Sequence, residues 1–149
     1  MLKALLEKIR SYGEETEQTD SEQTLATAAA TLLMEVAWAD HHISEQELIS
    51  IRAAIARQFT LDDKTLDAII AESRQHQDAS VGLQSFTRTI TNAWDEPTRY
   101  QLVLAMWQLA SIDDGVHRFE EHMIRKIADL LYVSHARFIE AKREVTTQR

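Results

Sequence analysis

One eleven-residue segment of this chain occurs twice. Ala37-Trp38-Ala39-Asp40-His41-His42-Ile43-Ser44-Glu45-Gln46-Glu47 is echoed by Ala110-Ser111-Ile112-Asp113-Asp114-Gly115-Val116-His117-Arg118-Phe119-Glu120, an offset of 73 residues. At that offset Ala37 matches Ala110, Asp40 matches Asp113, Glu47 matches Glu120, Ile51 matches Ile124 and Arg52 matches Arg125. Apolar character is kept at Leu33/Met106, Val36/Leu109, Ile43/Val116 and Phe59/Tyr132. An internal repeat means two copies of one supersecondary unit, which restricts the fold to arrangements that accept both. Core packing explains the repeated apolar residues. It does not by itself explain an Asp and a Glu among the few identities.

Those units are expected to be helical. The 149 residues contain three Gly and one Pro, and good helix formers abound. No segment alternates apolar and polar residues between turn signals as a strand would. The expected fold class is all-α: a compact bundle of about seven to eight helices, in which two related three-helix halves pack about a pseudo-twofold axis. The absence of Cys excludes disulfides, thiolate catalysis and Cys–zinc sites. The net charge of −8 disfavours nucleic-acid backbones, which require basic stripes. No run of about 18 apolar residues occurs, so no transmembrane segment is expected. Residues 1–9 are too short and too interrupted for a secretory signal, and a soluble cytoplasmic protein is the expectation.

Leu2, Leu5, Leu6 and Ile9 form one helical stripe, predicting a short amphipathic helix over residues 2–12. Gly13 is expected to end it, and residues 13–20 to form a polar linker. The stripe either folds back on the body or makes peripheral contact with a membrane or a partner. Residues 1–20 are thus set apart from a helical domain at 21–149. Asp20 or Ser21 is expected to cap a second helix running to about Ala39. Ser44-x-x-Glu47 reads as a capping box opening a third. Thr60–Asp63 is a break with Asp62 as a cap, followed by a helix through Leu66, Ile69 and Ile70. His76–Gly82 reads as a loop with Asp78 or Ser80 as caps, and residues 83–93 as the next helix. Asp95-Glu96-Pro97 opens the sixth, since proline suits a first helical turn. The turn Ile112–His117 leads to a seventh, Ser134 caps an eighth, and residues 146–149 are expected to fray. Trp38, Trp94 and Trp107 fall at helical spacing with other apolar residues and are expected in the core.

Asp40 ends one helix and Glu47 lies in the first turn of the next, so the intervening reversal lets both carboxylates face one turn. Asp113 and Glu120 repeat the arrangement. If the two units meet, four carboxylates converge, and protonation or a cation must relieve their repulsion. Oxygen donors suit Ca²⁺, Mg²⁺ or Mn²⁺, whereas His41, His42 or His117 as ligands would favour Zn²⁺. A purely structural reading stands beside this one. Glu47 has a capping role, acidic groups are favoured at helix N-termini, and Asp40 and Asp113 can accept N–H bonds within their own turns. An EF-hand is excluded, because it needs a Glu eleven positions after the first Asp and the interval here is seven. No His-Glu-x-x-His, phosphate-binding glycine loop or Gly-x-Ser-x-Gly elbow occurs.

At these residues the chain resembles the TerB-like family. The resemblance rests on Ala39-Asp40-x-x-Ile43-x-x-x-Glu47 and its echo Asp113-x-Gly115-Val116-x-x-x-Glu120, and extends over roughly residues 22–145. It implies a compact helical domain of two related halves whose acidic turns bind a divalent metal. The implied ligands are Asp40, Glu47, Asp113 and Glu120, with Asp114 as a further oxygen donor. The pattern Ala-Asp-Gly-x-Ile is broken at His42, where the family often has Gly, so this turn is expected to meet or avoid a left-handed conformation. Two functions follow: a non-enzymatic metal-binding module in a bacterial stress or envelope-associated complex, or an adaptor for protein partners whose acidic turns are structural. A metal-dependent hydrolase would need a base and an open coordination position that no motif supplies.

Overall fold

The computed structural model describes residues 2–78, 82–112 and 118–147, with the backbone alone over residues 6–20 and 76–78. Among the described residues every regular element is a helix. The elements are α1 (Leu2–Ala37), a 3-10 turn (Trp38–Asp40), α2 (Glu45–Gln58), α3 (Asp63–Asp78), α4 (Leu83–Ala93), α5 (Glu96–Ala110), α6 (Arg118–Leu130) and α7 (His135–Thr147).

The last third of α1 is the axis of the body. From Ala26 to Ala37 every residue but Glu35 is buried. A helix apolar on all sides must be surrounded, and α2, α3, α4, α5 and α6 all pack on α1. Ala26, Ala28, Ala29, Ala30 and Ala37 keep its surface narrow enough for that many neighbours. Its two threonines satisfy their hydroxyls on the helix itself: Thr27 Oγ1 donates to the Gln23 carbonyl at 2.9 Å, and Thr31 Oγ1 to the Thr27 carbonyl at 2.7 Å. Ser73 of α3 closes on the same helix, its hydroxyl donating to Ile69 O at 2.7 Å and approaching Thr27 O at 3.5 Å.

The outermost helix, α7, packs on α5 and α6. Trp107 of α5 and Phe138 of α7 meet at 5.2 Å between ring centroids, both fully buried. At the edge of this contact the Arg137 guanidinium lies 3.7 Å over the Tyr100 ring and pairs with Glu96 and Glu140 at 3.0 and 2.9 Å. The Tyr100 hydroxyl donates to Glu144 at 3.1 Å. Burial, then that carboxylate, pushes the phenol up to about 12.

Most helix boundaries follow the capping chemistry expected of them. Asp62 accepts from Thr65 N at 2.7 Å, Asp95 from Thr98 N at 3.1 Å, and Ser134 from Arg137 N at 3.2 Å. Three boundaries differ. Helix α1 runs through Gly13 without a stop, so there is neither a linker at 13–20 nor a fresh start at Asp20 or Ser21. A single interior glycine costs about 1 kcal/mol against alanine, and the Glu and Gln residues that follow favour helix. Helix α3 continues through His76 to Asp78, and the residue capping α4 is Gly82; Ser80 lies outside the described residues. Helix α7 extends to Thr147, with residues 148–149 outside the described set.

Helix α6 closes with paired bonds from Val133 N to Ala128 O at 3.0 Å and from Tyr132 N to Asp129 O at 3.1 Å. This C-terminal motif needs a left-handed residue, and Tyr132 supplies it at φ 57° while its ring is solvent-exposed. A side chain pays about 1 kcal/mol there that glycine does not. Tyr132→Gly is therefore expected to raise the unfolding free energy by about 1 kcal/mol in urea melts, with no change in slope. Among the residues whose side chains are described, the first to join the core are Leu25 and Ala26, while Leu2 and Leu5 are exposed. A chain starting at residue 21 should accordingly keep a cooperative melt and lose only helical ellipticity, whereas a non-cooperative melt would make residues 1–20 part of the core.

Candidate metal centre

The first acidic turn is built from the end of the buried helix. At Ala37 the α-helix tightens into the 3-10 turn Trp38–Asp40, and His41 then adopts φ 65°, ψ 23°, its N–H bonded to Trp38 O at 2.7 Å. The left-handed residue is thus His41, one position before the expected His42, because Ala-Asp-Gly-x-Ile laid on Ala39–Ile43 puts its glycine at 41. His41 meets the Trp38 ring edge-on at 5.8 Å. Trp38, expected in the core, is exposed; Trp107 is buried and Trp94 half-buried against Phe59 at 5.7 Å.

Past the reversal, Asp40 Oδ1 accepts from His42 N at 3.1 Å, a local turn bond at an exposed carboxylate. Ser44 and Glu47 then form the reciprocal capping box: Glu47 N donates to Ser44 Oγ at 3.1 Å, and Ser44 N donates to Glu47 Oε1 at 2.9 Å. Glu47 is only 4% exposed, so this bond and the α2 N-terminus offset the cost of taking its charge out of water.

The second turn is described in part. Asp113 and Asp114 lie outside the described residues. Glu120 is the third residue of α6, as Glu47 is of α2, and it is 5% exposed and itself makes a polar interaction. Among the described residues these two glutamates are the only buried charged side chains. The remaining repeated positions behave alike where packing governs: Ala37 and Ala110, Ile51 and Ile124, Leu33 and Met106, and Val36 and Leu109 are buried in both copies. They diverge at the surface. Arg52 pairs with Asp67 and Asp63 at 3.0 and 3.4 Å, whereas Arg125 sits 5.5 Å over the Phe138 ring.

The first turn does approach the second unit, since the Trp38–Asp40 segment packs on α6 as well as on α1. Asp40 accepts through Oδ1 and Glu47 through Oε1, and a set made of oxygens suits a hard cation. Among the described residues, no three His, Asp or Glu side chains gather closely enough to hold an ion. His41 faces Trp38 and His42 is exposed, so neither is aimed with the carboxylates by any contact of the turn.

Glu35 is the charged group that sequence reasoning passed over. It interrupts the apolar run of α1 and lies half-buried, where burial pushes its carboxyl up and Lys126 of α6 partly draws it back. A single acidic residue inside a run of buried ones was the available signal.

The fold and the doubled turn define an all-helical module with buried carboxylates at the first turns of two helices. The chain belongs to the TerB family: residues 26–143 match the family described as Tellurite resistance protein TerB. No curated protein and no solved structure matches the chain. Among the described residues, no helix is long and apolar enough to cross a membrane.

Glu35 yields a pH-dependent expectation. Its folded carboxyl titrates above the ordinary value of 4.5, so the native state binds the proton more tightly than the unfolded chain. Stability on this account is greatest below that ordinary value and falls as pH rises through it to the folded one. Glu35→Gln should stabilise the protein at neutral pH, and the gain should vanish in denaturant melts near about pH 4. An equal gain at both pH values would mean that charge burial is not its origin.

Proposed function

We propose that this TerB-family chain is a non-enzymatic module that holds a divalent cation between its two Asp-to-Glu turns, in a bacterial stress or envelope-associated complex of the cytoplasm. The observation that carries the reading is the pair of buried carboxylates, Glu47 and Glu120, at the same place in α2 and α6. A cation held between two buried carboxylates at matching places would neutralise both. Asp40, Asp113 and Asp114 would complete an all-oxygen shell. Ca²⁺, Mg²⁺ and Mn²⁺ suit such donors better than Zn²⁺ does. Asp40 and Glu47 each hold a backbone N–H in place, a task of fixing the turn rather than of activating water. The ion would link the end of α1 to α6 and so fasten the two units.

A second reading has its own support. Trp38 is exposed at the same end of the body, and Phe119, in the first turn of α6, is 68% exposed. Apolar rings beside an acidic turn suit an adaptor for a protein partner, with the carboxylates acting only as caps.

Calorimetric titration of the chelator-treated chain with each of the four ions separates the two. The first reading expects saturable binding, a melting temperature that climbs with ion concentration, and loss of both in Asp40→Ala/Asp113→Ala. At an ion concentration of 100 times Kd the native state should gain about 2.7 kcal/mol. A folded wild-type chain that binds none of the ions would leave the carboxylates as caps and turn bonds and would favour the adaptor.

A further inference from the structure

The sequence leaves open whether the stripe at residues 2–12 folds back on the body. In the structure Leu2 is 74% exposed and Leu5 is 55% exposed, at the start of a helix that continues unbroken into the core. Successive residues of an α-helix turn by about 100°. On that geometry Leu2, Leu5, Leu6, Ile9 and Tyr12 share an arc about 120° wide. Lys3 and Arg10 border the arc on one side and Lys8 on the other, with Glu7 on the far side. Long basic side chains at the edges of an apolar arc can lay their stems along it and carry their charges to a layer of phosphates.

From these residues we infer that residues 2–12 are an interfacial docking tip for an anionic lipid surface. Charge selects the occupant. The whole chain carries −8, yet this segment holds Lys3, Lys8 and Arg10 against the single acid Glu7. The sign then reverses at Glu14, Glu15, Glu17 and Asp20. An anionic surface attracts the first three turns and repels everything after them, so only the tip lies down and the acidic body stands away. Pairing with the tip of a second copy would set like charges against like. The helix is not apolar enough to cross the bilayer, and the contact is confined to the headgroup boundary. The tip lies outside the TerB match at 26–143, and the inference is independent of any bound metal.

The test is co-sedimentation of the full-length chain with vesicles of phosphatidylcholine alone or mixed with phosphatidylglycerol, at low and high salt. Binding is expected to the mixed vesicles only, to weaken in high salt, and to fall on the order of tenfold in Leu5→Gln/Ile9→Gln and in Lys3→Glu/Lys8→Glu. Circular dichroism confirms that each variant keeps its folded body. Three results would overturn the inference: no binding to either vesicle, equal binding to both, or full binding by the variants. A concentration-dependent dimer in analytical ultracentrifugation that Leu5→Gln/Ile9→Gln abolishes, without vesicle binding by wild type, would assign the stripe to a second copy instead.

Discussion

Between Ala26 and Ala37 the first helix has almost no surface left to show to water, and the rest of the architecture answers that condition. Five helices are needed to cover it, and its alanines set how near they can come. Its threonines close their own hydrogen bonds, so neither hydroxyl on the axis asks for water. The helix also has to end where the body meets solvent. Its last carbonyls are met by the 3-10 turn and by the left-handed His41, and that reversal aims Asp40 and Ser44 where they are. The acidic turn is thus a product of how the axis terminates. Its position on α6 follows from the same packing.

Much of this was legible in the residues because capping is local chemistry. Ser44 with Glu47, Asp62, Asp95 ahead of Pro97, and Ser134 each lie within three or four residues of the group they satisfy, and the structure keeps all four. The failures arise where a local signal was weak or a distant one decided. Gly13 is a punctuation mark only if its neighbours also favour a break, and Glu14, Glu15, Glu17 and Gln18 favour helix instead. Trp38 has the spacing of a core residue, but the helix tightens just before it and turns it outward. Tyr132 looked like the partner of Phe59; the pairing fails because one ends α6 in a left-handed conformation and the other ends α2 in an extended one.

The candidate site was legible as a set of residues and not as a geometry. Glu47 and Glu120 are singled out by repetition, and their burial makes them unusual in physical terms. The capping bond and a ligand role, both read from spacing, would use the same carboxylate. Glu47 gives one oxygen to Ser44 N and retains another, so fixing the helix start and binding an ion are compatible tasks for one side chain. Glu35 was hidden for the opposite reason, since its environment is made by Lys126 and the α1–α6 contact rather than by its own neighbours in sequence.

A buried axis that precedes its covering helices in sequence also orders events during synthesis. Helix α1 leaves the ribosome before the helices that enclose it, with its alanine and leucine surfaces uncovered, and those helices follow over the next hundred or so residues. α2 and α3 cover it on some sides, but the body cannot close until α5 and α6 have emerged. For that interval the nascent chain presents a sticky helix with acidic residues Glu14, Glu15, Glu17 and Asp20 just upstream. Like charges on two unfinished chains repel, so the uncovered surface of the axis emerges next to a run that opposes its association with another copy.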